Sequence, residues 1–168
     1  GTPQIAVTIG TDEAQAAYVS AGTSNELVFS YTVQAGETDT DGISVGALGL
    51  NGGTIKDFAL NNMDPTLNTV GATTSISVDT TAPTVGSVAV PSNGSYKEDG
   101  VLNFIVNTTE AVNVVGTPQI AVTVGSTARE AAYVADASTS TALLFRYTVV
   151  AGETDTDGVS VGTLVFNG

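Results

Sequence analysis

The chain has 168 residues, with 17 acidic side chains against four basic ones, and contains no Cys, His or Trp. A net charge of −13 argues against DNA, RNA or anionic lipid as partners, because each needs a basic patch. The lack of Cys removes any disulfide framework, and no apolar run approaches the length that membrane insertion requires. The apolar residues are mostly Val, Ala, Leu and Ile, interleaved with Thr and Ser and broken by 19 Gly. Such β-branched text predicts an all-β chain.

In chain order, strands are expected over residues 3–9, 16–19, 27–33, 43–50 and 74–78. A second set follows over 85–90, 101–107, 119–124, 130–134, 143–149 and 159–166. The alternation is plainest in "LLFRYTV", where Leu143, Phe145, Tyr147 and Val149 share one face and Leu144, Arg146 and Thr148 the other. Turn signals separate the runs: "NG" at Asn51, Asn93 and Asn167, and "DG" at Asp41, Asp99 and Asp157. No helical periodicity rises above this pattern.

The sequence also repeats itself. "GTPQIAVTIG" at Gly1 returns as "GTPQIAVTVG" at Gly116, and residues 18–52 return as 133–168. The offset is 115, rising to 116 after a one-residue insertion between Tyr133 and Phe145. A period of this length is a whole domain, so a tandem array is expected. "VDTTAPTV" (residues 78–85) occurs once and reads as the join, with Pro83 unable to donate to a ladder. Residues 1–78 are then the C-terminal part of one repeat and 79–168 the N-terminal part of the next. Closure of residues 1–115 into one permuted domain is not expected. The link at the join reaches about 25 Å, against a strand-plus-loops span on the order of 30 Å.

"AGETDTDG" occurs twice, at residues 35–42 and 151–158, and no Lys or Arg lies beside either copy in sequence. In extended backbone, Glu37, Asp39 and Asp41 point to one side, as do Glu153, Asp155 and Asp157. In a turn, the same spacing resembles the alternating oxygens of a calcium loop, with Gly158 allowing the bend. The alternative is a solubilising acidic turn between two strands. Both readings stand at this point.

"VDTTAPTVGSVAVPSNGSYKEDGVLNFIVNTTEAV", "GTPQIAVTVG", "YTVVAGETDTDGVSVG" and "NGGTIKDFALNN" together resemble the immunoglobulin-like extender repeats of giant, RTX-type, biofilm-associated bacterial adhesins. The resemblance covers essentially the whole chain. It implies an antiparallel Ig-like β-sandwich, export to the bacterial cell surface, and bound Ca²⁺. One stretch departs from it: the family pattern after the "NGG" turn is close to "KDAAGN", whereas this chain reads "KDFALNN". The Ig topology further implies that Asp79, Glu110 and the counterpart of Asp57 gather at the end of a domain facing its neighbour, as a junctional metal site. The competing reading makes Asp79 a turn-former and Glu110 a solvated loop acid.

No His, Cys, P-loop or dinucleotide fingerprint offers a route to catalysis, so an enzyme is not expected. The expectation is a calcium-stabilised spacer. Its partners are neighbouring identical repeats in the same chain, and the distal ligand of the whole protein is not bound by this segment. The rival expectations are a calcium-dependent glycan- or ligand-binding module and a cell-wall or surface-layer structural protein. Tyr31 and Tyr147 are expected in the core or at a corner.

Overall fold

The computed structural model describes residues 1–21 and 25–166. The protein is all-β with antiparallel sheets, consistent with a β-sandwich, and its strands alternate apolar and polar residues. A single 3₁₀ turn, Ala135–Ala137, accompanies the strands among the described residues. The chain separates into two compact units, Gly1–Thr81 and the residues from Ala82 onward.

In the first unit, β1 (Gln4–Ile9), β2 (Asp12–Ala21) and β3 (Leu27–Ser30) are joined by β5 (Ser44–Gly49) in a sheet of order β3-β2-β1-β5. The β1–β2 hairpin closes through Gly10 and Thr11, since Ile9 pairs with Asp12. Gly10 supplies the positive φ of 59° that this turn needs. Two short strands, β4 (Thr38–Asp39) and β6 (Val78–Asp79), pair with each other. Asp79, expected to open the second unit, is therefore laddered onto the first, and the division falls after Thr81.

The strand expected over 74–78 reduces to Val78. Residues 73–76 instead form a turn, with Ile76 N–H donating to the Thr73 carbonyl at 2.8 Å. That turn lies against Gly42, where an added Cβ would sit 2.4 Å from the Thr74 Cα. The strand set is lost because this backbone is used to pack the acidic loop. Nearby, Leu60 takes a φ of 69°, in the left-handed region that favours glycine. A loop shaped for glycine is thus kept with a branched residue, at the cost of left-handed strain.

In the second unit, β7 (Val85–Ala89), β8 (Val101–Thr108), β9 (Gln119–Val124), β10 (Thr127–Tyr133), β11 (Ala142–Thr148) and β12 (Ser160–Val165) order as β12-β9-β10-β11-β8-β7. The order of the first unit's sheet recurs inside it as β11-β10-β9-β12. Period-two burial places Leu102, Phe104 and Val106 of β8 in one core with Ile120, Val122 and Val124 of β9. Leu143, Phe145, Tyr147 and Val149 complete this core on the face that alternation predicts. Phe104 and Phe145 are 1% and 0% exposed, and each fully buried side chain of this size contributes about 1.5–3 kcal/mol. The turn expected at Asn167 lies outside the described residues.

Candidate functional site

Each acidic loop leaves β3 or β11, crosses beside the β1–β2 or β9–β10 hairpin, and continues into β5 or β12. In the first unit, the Tyr31 hydroxyl donates to Glu37 Oε1, and the Gln34 N–H donates to Glu37 Oε2 at 2.7 Å. Asp39 Oδ2 accepts from the Gly10 N–H at 2.7 Å. Its other oxygen, Oδ1, accepts from Gly42 at 2.7 Å and Asp41 at 3.2 Å. Glu37 and Asp39 are buried, whereas Asp41 is exposed. The acids therefore do not share a face: the first two turn inward onto amides, and the third turns out.

The second unit repeats the arrangement closely, with Glu153 and Asp155 half-buried. Tyr147 donates to both oxygens of Glu153 at 2.7 and 2.9 Å, and the Val150 N–H donates to Glu153 Oε2 at 2.8 Å. Asp155 Oδ2 accepts from Gly125 at 2.7 Å, while Oδ1 accepts from Gly158 at 2.7 Å and Asp157 at 3.2 Å. The glycine torsions match as well, with φ of 59° and 57° at Gly10 and Gly125, and 108° and 105° at Gly42 and Gly158. An added Cβ would lie 2.3 Å from the Thr38 carbonyl at Gly10, and 2.3 Å from the Thr154 carbonyl at Gly125. Only glycine lets the hairpin and the loop approach this closely.

The Tyr–Glu pair of the second unit has a cation beside it. Arg129 Nε lies 2.6 Å from Glu153 Oε1 and donates to the Tyr147 hydroxyl at 3.1 Å. Its counterpart in the first unit is Ala14, so the Tyr31–Glu37 pair has no such cation. The second loop is thus relieved by an arginine 24 residues upstream, which the local sequence does not show.

These contacts set the proton affinities. The Gly10 and Gly42 amides hold the Asp39 carboxyl below the usual carboxylate range, and those of Gly125 and Gly158 do the same for Asp155. Glu153 is lowered by the Val150 amide, then by the Tyr147 hydroxyl and Arg129. Tyr31 is raised by its bond to Glu37, and Tyr147 by burial and its bond to Glu153.

The remaining expected ligands are dispersed. Asp57 accepts from the Asn61 N–H and Nδ2, both at 2.8 Å, and these bonds lower its pKa. Asp79 Oδ1 accepts from the Thr81 N–H at 2.9 Å. Glu110 is half-buried in the loop after β8, where its carbonyl accepts from the Thr108 hydroxyl at 2.6 Å. Among the described residues, no group of three or more acidic side chains converges where an ion could sit. Calcium wants six to eight oxygens around one point. Instead Asp39 and Asp155 each accept three amides of the protein's own backbone.

The positions that sequence reasoning missed are the partners: Gly10, Gly125 and Arg129. The glycines close hairpins that alternation alone does not delimit, and the arginine is placed by sheet register. In the first unit Thr80 also belongs to the site, because its hydroxyl accepts from Gly36 N–H and donates to the Glu37 carbonyl, both at 2.9 Å. No family model, curated protein or solved structure matches this chain.

Proposed function

We propose that the chain is a non-catalytic structural repeat, of Ig-like sandwich type, that serves as a spacer in a bacterial surface adhesin. The observation that supports it is the duplicated lock. Tyr, Glu, Asp and Gly recur in both units with the same bonds, and every inward carboxylate is used on the protein's own chain. Binding or catalytic acids would be left with free lone pairs facing a cleft. One cleft of the second unit, about 570 Å³, is lined by residues such as Pro83, Val112, Val114, Leu164 and Phe166 and by no charged side chain, while Glu153 and Asp155, which line another of about 390 Å³, are already bonded to the protein's own amides. That chemistry does not suit a glycan gripped through calcium.

The location at the cell surface and the service as a spacer come from the family resemblance. Calcium-dependent stiffening, which the resemblance implies, is an outcome to be tested. A glycan-binding screen in calcium and in chelator tests the reading. No saturable binding is expected in either condition. Saturable binding that chelation abolishes overturns the spacer in favour of the recognition module.

A further inference from the structure

The two units present the same side chains in different surroundings. Leu27, Phe29, Tyr31 and Val33 of the first unit correspond to Leu143, Phe145, Tyr147 and Val149 of the second. Leu143 and Val149 are 6% and 8% exposed, whereas Leu27 and Val33 are 40% and 43% exposed. Sequence cannot cause the difference. Topology does, because β11 is flanked by both β10 and β8, while β3 is flanked by β2 alone. The free side of β3, "LVFS", carries no Pro, Lys or Arg, and its one register shift lies toward β2. Its four-residue length is the one edge protection it has.

We infer that the free edge of β3 is a docking site for a strand of the β8 kind, a second copy of Val101–Thr108. The second unit shows the fit. β8 pairs antiparallel with β11, placing Phe104 opposite Phe145, Val106 opposite Leu143, and Leu102 opposite Tyr147. Transferred to β3, the register sets Phe104 opposite Phe29, Val106 opposite Leu27, and Leu102 opposite Tyr31. The incoming strand supplies ladder bonds to the edge and covers Leu27 and Val33 with its inward Leu, Phe and Val. Connectivity favours this occupant over others. β8 reaches β9 through residues 109–118, and β1 copies β9, so a β8 strand that precedes β1 by the same spacing arrives at the same edge. The inference rests on reading the chain as a repeat of an array, but its test is independent of any ligand screen.

The test is to add a copy of residues 82–115 ahead of Gly1 of the full chain and to follow amide exchange residue by residue. The β3 amides that face away from β2 are expected to slow on the order of a hundredfold, to the level of the β8-facing amides of β11. Those β11 amides report in the same sample that the protein is folded. Phe104→Asp with Val106→Asp in the added copy should return β3 to the exchange rates of the unextended chain. As a second measurement, a labelled synthetic peptide of residues 100–109 added to the full chain should shift the NMR signals of Leu27–Ser30 saturably. Unchanged β3 exchange in a folded extended chain overturns the inference. So does concentration-dependent protection of β3 in the unextended chain, because the edge then pairs with itself.

Discussion

Replacing Gly125 by alanine strikes the point where the hairpin and the acidic loop meet. At a φ of 57° an L-residue costs about 1–2 kcal/mol. The new Cβ would also sit 2.3 Å from the Thr154 carbonyl, so the loop must move by about an ångström. Overpacking of that kind adds about 1–3 kcal/mol. Moving Thr154 displaces Asp155, whose bond to the Gly125 N–H spans 2.7 Å. A total near 3 kcal/mol lowers the melting temperature of a unit of this size by roughly 12–24 °C. Gly10→Ala should cost as much in the first unit, because its φ of 59° and its 2.3 Å approach to the Thr38 carbonyl are the same. Gly152→Ala is the control: its φ is 84°, but nothing lies within 4 Å of the added Cβ, so only the torsional part applies. Urea titrations followed by circular dichroism compare the three variants. If Gly125→Ala is no worse than Gly152→Ala, the close approach does not hold the loop and the lock is wrong.

Phe145→Ala should cost about 3–5 kcal/mol in denaturant titration, because Phe145 is fully buried. Phe29→Ala, at the half-covered counterpart, should cost less than half of that. Leu60→Gly should stabilise the first unit by up to about 1 kcal/mol by removing left-handed strain. Asp39, Asp155 and Glu153 have folded values below their ordinary ones of 3.8 and 4.5, so they stabilise the fold above that range. That stability is lost as the pH falls through the depressed values, and melting temperature should decline from about pH 4 downward. Tyr31 and Tyr147 are raised above 10.0, so a second decline should begin above that pH as they ionise. Flat melting temperatures across both windows would contradict the assigned bonds.

Much of this architecture is readable from sequence because its signals are local. The "LLFRYTV" alternation names the buried face of β11 correctly, and the repeat, at an offset of 116 here, predicts that the two acidic loops fold alike. The failures are long-range. The carboxylate spacing invites a one-sided fan of ligands, but each turn rotates the third acid outward once Asp39 or Asp155 is captured by amides. The capturing amide belongs to Gly10 or Gly125, in a hairpin 29 or 30 residues away. Arg129 reaches Glu153 only because β10 pairs with β9 in the register that puts Arg129 opposite Val122. Residues 74–78 read as a strand, yet the β-prone text around Ile76 is spent on a turn against Gly42. Periodicity reports which face is apolar; it does not report which partner strand is present.

The central claim is that the inward acids of the two loops bind the protein's own backbone and not an ion. Melting temperatures of the wild-type chain, Asp155→Asn and Asp157→Asn, each recorded in millimolar calcium and in chelator, test it most directly. The account predicts that Asp155→Asn lowers the melting temperature equally in both conditions, and that Asp157→Asn leaves it unchanged in both. A wild-type gain in calcium that either substitution abolishes would contradict the account and make the loops metal sites.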